Sequence, residues 1–137
     1  MPHDPALVAD TAAWLRKAEE DLAIAEELLK PAKALCGGAV FHCQQAAEKA
    51  LKAFLVWHDV PFRKTHDLRE LGNACIRIEA TLKEAIADAI PLTEYAWRFR
   101  YPGEPAQPTK REARAALAAA RNLYGAIKSR LPDDVKP

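Results

Sequence analysis

The sequence predicts an all-α fold: one domain over residues 1–137, arranged as an up-and-down bundle of four or five helices. Three observations lead to it. Alanine and leucine dominate, while strand formers are scattered rather than clustered. Apolar residues recur at helical spacing through every long segment. The chain has 137 residues, half of them hydrophobic, which suits a single buried core.

The first helix is expected from about Asp10 or Thr11 to just before Pro31. Trp14, Leu15, Ala18, Leu22, Ala25 and Leu29 form its apolar stripe, with Glu19, Glu20, Glu26 and Glu27 opposite. Gly37 and Gly38 punctuate the next connection, and a second helix is expected from about Ala39 to Trp57. Its stripe is Val40, Cys43, Ala47, Ala50, Leu51 and Phe54. Glu48 and Lys52 read as a surface i,i+4 pair worth ~0.2–0.5 kcal/mol. Gln44 and Gln45 are uncommon in an apolar helix, so one should meet a partner helix or polar groove, since a buried amide must be hydrogen-bonded.

Pro61 breaks the pattern. Thr65 is expected to cap a third helix carrying Leu68, Leu71, Cys75 and Ile78, with Asp67 in its first turn. A fourth segment runs from about Leu82 to Ile90, interrupted by Pro91, with a short helix or turn then carrying Tyr95 to Phe99. After a loop punctuated by Pro102, Pro105 and Pro108, Thr109 and Glu112 fit a capping box. The last helix is expected to reach about Arg130, leaving PDDVKP as a short polar tail. Alanine-rich stripes permit close helix approach but carry a modest apolar payload, so burial against a second copy is expected.

Net charge is +1, so no global field drives the chain toward nucleic acid. Charge is nevertheless unevenly spread. Lys49, Lys52, Arg63, Lys64 and Arg69 face only Asp59 and Asp67 over that stretch, which allows a local basic surface. The start, MPHDPALVAD, does not read as a signal peptide, and no apolar run has the length of a membrane span. Cys36, Cys43 and Cys75 read as reduced thiols of a cytoplasmic protein.

Two stretches together carry a family resemblance. Gln44 to Lys52 reads QQAAEKALK, and Lys64 to Leu68 reads KTHDL at the opening of the next helix; RFRYPGE, Arg98 to Glu104, adds an Arg-Tyr-Pro segment. The chain resembles the prokaryotic HEPN domain family over nearly its whole length. The resemblance implies a helical bundle, commonly dimeric, akin to the helical C-terminal domain of kanamycin nucleotidyltransferase. It also implies a toxin–antitoxin-type partnership with a minimal nucleotidyltransferase in many members, and metal-independent RNase activity in others.

The RNase branch places an arginine before a histidine with four to six residues between them. That spacing is missing at every histidine: before His66 the positions hold Asp59, Val60 and Pro61, before His58 they hold Leu51, Lys52 and Ala53, and before His42 they hold Leu35, Cys36 and Gly37. RNase catalysis is therefore not carried over, and no catalytic residue is assigned. Cys36, His42 and Cys43 fit no ordinary zinc spacing, and no cofactor is implied.

The candidate binding residues are Lys64, His66, Arg98, Arg100, Tyr101, Lys49 and Lys52. Lys64 and His66 lie where a helix N-terminus favours an anion. The plainer reading is that Thr65 caps the helix and His66 fixes the turn. Arg98, Arg100 and Tyr101 suit a clamp for phosphate and base, against a reading in which the rings pack at the bundle end and the arginines pair with acidic residues of the first helix. Lys49 and Lys52 share one helix surface. The expected function is a homodimeric binding module for a nucleotidyltransferase partner, a nucleotide or RNA. The alternatives are a non-standard RNase or nucleotide-processing toxin using His66 with Arg98 and Arg100, and a purely structural dimer. Light scattering at micromolar concentration should return the mass of two chains; a single-chain mass would remove the dimer.

Overall fold

In a computed structural model describing residues 2–103 and 106–137, the described residues form five α-helices and no strand. They are α1 (Pro5–Leu28), α2 (Cys36–Trp57), α3 (Leu68–Ile78), α4 (Lys83–Ala89) and α5 (Lys110–Ser129). Glu104 and Pro105 of the proline loop lie outside the described residues.

Helix α1 starts earlier than its apolar stripe suggests. Asp4 accepts from the Ala6 amide at 3.0 Å, and Pro5 occupies the first turn, where its missing N–H costs nothing. Helix α2 likewise begins at Cys36, so Gly37 and Gly38 are helical rather than part of the connection. Helices α1 and α2 form an antiparallel pair whose contact is lined by small residues. Ala18, Ala25, Ala39, Ala46, Ala47, Ala50 and Ala53 are all fully buried. Helix α2 is the centre of the bundle, with α1, α3 and α5 packed around it. Phe54, Leu51 and Leu55 of α2 meet Leu15, Leu68, Leu71, Ile86, Leu123 and Ile127 in one core. Each large side chain buried there contributes roughly 1.5–3 kcal/mol.

The third helix is capped by Asp67, not Thr65. Asp67 Oδ1 accepts from the Arg69 amide at 2.9 Å, while Thr65 Oγ1 takes the amide of Asp67 itself. Gly72 lets α3 approach α4: a Cβ there would lie 2.5 Å from Ile86 Cγ2. Pro91 does not break the chain direction. It enters a 3-10 turn, Ile90–Ala96, where an N-terminal proline is accommodated. The capping box at α5 forms as expected, with Thr109 and Glu112 bonding one another's amides at 3.0 and 3.1 Å.

The C-terminal segment differs from the polar tail expected of it. Asp133–Val135 forms a 3-10 turn against α1, and Val135 is fully buried. His3 Nδ1 and Asp134 Oδ2, 3.0 Å apart, join the two termini. Val135→Ala should therefore cost about 1.5–2 kcal/mol, the value of two lost methyl groups, measured by urea denaturation; an unchanged midpoint would restore the tail reading.

Candidate functional site

The polar residues of α2 lie inside the bundle. Glu48 is buried and both its oxygens are engaged. Oε1 accepts from Gln44 Nε2 at 3.1 Å and lies 2.7 Å from His66 Nδ1; Oε2 accepts from Lys52 Nζ at 3.0 Å. Burial opposes the ionised form, but the hydrogen bonds from His66, Lys52 and Gln44 outweigh it and hold the carboxyl below the ordinary glutamate range. The Glu48–Lys52 pair is thus a buried ion pair, not the surface pair its spacing suggests. Lys52 Nζ is enclosed further, 5.6 Å above the Trp14 ring and 5.5 Å above Phe62. Gln44, fully buried, also donates to the His66 carbonyl at 3.2 Å, which meets the requirement set for a buried amide.

A second buried carboxylate lies one helix away. Asp21 of α1 accepts from Lys49 Nζ at 2.6 Å and lies 2.7 Å from His42 Nδ1. Sequence reasoning missed Asp21. The signal was present: Asp21 falls between Ala18 and Ala25 at helical spacing, on the buried stripe. A carboxylate there needs partners, and Lys49 and His42 supply them.

These contacts separate the predicted binding residues into three groups. Lys49 and Lys52 are internal, each bonded to a buried carboxylate. His66 lies over Glu48 with most of its ring exposed. Since an ionised carboxylate only accepts, Nδ1 carries the proton and Nε2 remains available to solvent. Lys64 is exposed beside it. The opening amides of α3 are already taken, those of Asp67, Leu68 and Arg69 by Thr65, Thr93 and Asp67. The helix terminus is therefore a poor anion site, and the charge there comes from side chains.

The third group occupies the turn after the 3-10 segment. Trp97 and Tyr101 are 59% and 66% exposed, the exposed large aromatic side chains among the described residues. Arg98 Nη1 donates to Glu94 at 2.9 Å and its guanidinium lies 4.5 Å from the Phe99 ring centre. Arg100 donates to the Ala96 carbonyl at 3.0 Å and lies 4.4 Å over Phe41 and 5.7 Å from Tyr101. Among the described residues no carboxylate pairs with Arg100. Phe99 between them has φ 69°, a left-handed conformation costly for a bulky residue. Phe41 beneath Arg100 and Glu48 beneath His66 are seven residues apart on α2, about 10 Å along its axis.

Other chemistry is not assembled. Cys43 and Cys75 are buried, and burial pushes both thiols up to about 12, so they are inert at neutral pH. Among the described residues no cluster of His, Cys, Asp and Glu could hold a metal ion, and no helix is long and apolar enough to cross a membrane.

These features define a small helical module with a polar central helix, a histidine held on it from outside, and an arginine–aromatic turn at one end. The chain belongs to the HEPN domain family, whose family model matches residues 11–130. It is 34% identical over 134 residues to a Methanocaldococcus jannaschii protein named "Putative toxin MJ1304", covering 88% of this chain and 87% of that one. No solved structure matches.

Glu48 sets a pH dependence. Its carboxyl titrates lower in the folded than in the unfolded chain, so its contribution is present above the ordinary glutamate value of 4.5 and is lost as pH falls through the lower folded value. The stability difference between wild type and Glu48→Gln should shrink over that acidic window in denaturant titrations. At neutral pH, Glu48→Ala should cost about 3–5 kcal/mol because it leaves Lys52 buried without a counter-charge; a loss typical of a surface pair would contradict the buried network.

Proposed function

We propose that the protein is the HEPN component of a toxin–antitoxin-type pair, a cytoplasmic homodimer that partners a minimal nucleotidyltransferase and binds nucleotide or RNA at the Trp97–Tyr101 turn. The family assignment and the toxin name borne by the Methanocaldococcus jannaschii relative support the first part. The single observation that carries the second is Arg100: its guanidinium lies between the Phe41 and Tyr101 rings with no carboxylate partner among the described residues, next to two exposed rings.

The chemistry follows from those groups. A guanidinium offers a planar donor fork to a phosphate, and it meets little competition where no internal carboxylate claims it. Tyr101 and Trp97 offer faces on which a base can stack, worth roughly 1–3 kcal/mol per base. Stacking on Phe41 and the bond to Ala96 hold the Arg100 fork in place, which lowers the ordering cost of binding. Lys64 and His66, in the segment before α3 that crosses the middle of α2, lie within reach of the same single strand and extend the contact to a second phosphate. Lys49 and Lys52 contribute indirectly, by fixing the helix that carries Phe41.

A second reading is favoured by the Glu48–His66 pair. A buried carboxylate that fixes the tautomer of an exposed imidazole suits proton transfer, so a nuclease using His66 is the competing function. The first reading expects intact RNA on incubation with the purified protein. Cleavage that disappears in His66→Ala would establish the second.

In titrations of a labelled single-stranded oligoribonucleotide, Arg100→Ala and Tyr101→Ala should each weaken binding about tenfold, consistent with roughly 1–3 kcal/mol per contact. Affinity should also fall as salt rises. Thermal melts of both variants should match wild type, since both side chains are exposed. Wild-type affinity in both variants would eliminate the turn as the site.

A further inference from the structure

The two ends of α2 differ in chemistry. The first lies beneath Arg100 and the exposed rings. The second ends in a Schellman motif: the Val60 amide donates to the Leu55 carbonyl at 2.9 Å and the Asp59 amide to Val56 at 3.1 Å. Asp59 occupies the left-handed position of that motif, with φ 56°. Glycine is the usual residue there, and aspartate is one of the few others that tolerate it. An aspartate in its place puts a carboxylate at the rim of a groove.

That groove, about 590 Å³, runs between the start of α1 and the end of α2. Leu7 and Asp10 line one side, and Val56, Asp59, Val60 and Phe62 the other. The four apolar side chains are half-buried, so each leaves part of its surface facing the groove. Asp10 and Asp59 are both exposed, and among the described residues neither has a hydrogen-bond or ion-pair partner. Lys17, two turns along α1, is paired with Glu20 at 3.7 Å and does not neutralise them.

We propose that this groove docks a segment of a partner protein in which an apolar side chain is flanked by lysine or arginine. The apolar floor removes the central side chain from water, and the two unpaired carboxylates receive the flanking cations. The same carboxylates repel nucleic acid, which distinguishes this surface from the Arg100 turn. Phe41 beneath Arg100 and Val56 at the groove are fifteen residues apart on α2, so the two sites lie about 22 Å apart along its axis and one bundle can hold an anionic ligand and a basic protein segment together. The inference rests on the preceding reading only for the existence of a protein partner; the recognition chemistry is independent of it.

The test uses the full chain and two synthetic peptides, one alternating arginine with leucine and a twin with glutamate in place of arginine. In amide-resolved NMR titrations, the arginine peptide should perturb Leu7, Val56, Val60 and Phe62, and the twin should not bind. Asp10→Asn with Asp59→Asn should weaken the arginine peptide at least tenfold. The double variant should melt as wild type does, since both positions are exposed and asparagine also tolerates the left-handed backbone. Equal binding of the twin, unchanged affinity in the double variant, or perturbations confined to other surfaces would each overturn the groove. Perturbation of the groove amides by protein concentration alone would assign it to a second copy of the chain and overturn the partner. None of these results alters the oligonucleotide titration, so the two proposals fail separately.

Discussion

Two carboxylates buried against α2 constrain the rest of the structure. An ionised group taken out of water is tolerated only when its lone pairs are met by well-placed donors. Asp21 and Glu48 are met by Lys49, His42, Lys52, Gln44 and His66. The Asp21 contacts fix the register of α1 against α2. Those of Glu48 fix where the chain after Pro61 must return, because His66 reaches Glu48 through its ring and Gln44 through its carbonyl. Trp14 and Phe62, packed edge to face, then close together over Lys52. A shift of any of these elements would leave a buried charge without its partner.

This internal use of charge changes the meaning of the basic stretch. Lys49 and Lys52, which look like half of a binding face, neutralise carboxylates below the surface. What remains for a ligand lies on the rim: Lys64 and His66 over the middle of α2, and Arg100 with Trp97 and Tyr101 at its start. The rim side chains are held by contacts of their own, Arg100 by Phe41 and Ala96, and His66 by Glu48. The proposed recognition surface thus stands on a rigid helix although its residues come from turns, the usual division of labour between scaffold and loop.

Charge also distinguishes the two ends of the central helix. Arg100 and the exposed rings lie over its first turns, and Asp10 and Asp59 flank its last. A nearly neutral chain can therefore present a basic surface and an acidic one without strong self-repulsion, since the two are far apart relative to the screening length at physiological salt.

Much of the fold was legible in the sequence because it rests on local rules. The helical periodicity, the capping box at Thr109 and Glu112, and the buried stripe of α5 are set by residues within a few positions of one another. The family likeness was legible in QQAAEKALK and KTHDL for the same reason. One error was a choice between neighbours: Asp67 rather than Thr65 caps α3. The other arose where a distant element overrode a local preference: Val135 folded an apparently polar tail onto α1. The candidate site was legible as residue types but not as an arrangement. Nothing local separates a lysine that neutralises a buried carboxylate from one that meets solvent; the difference lies in whether a carboxylate on another element reaches it. The sequence by itself determined which segments become helices and which side chains carry charge. Tertiary structure alone decided which charges are buried, because desolvation depends on what packs against a group.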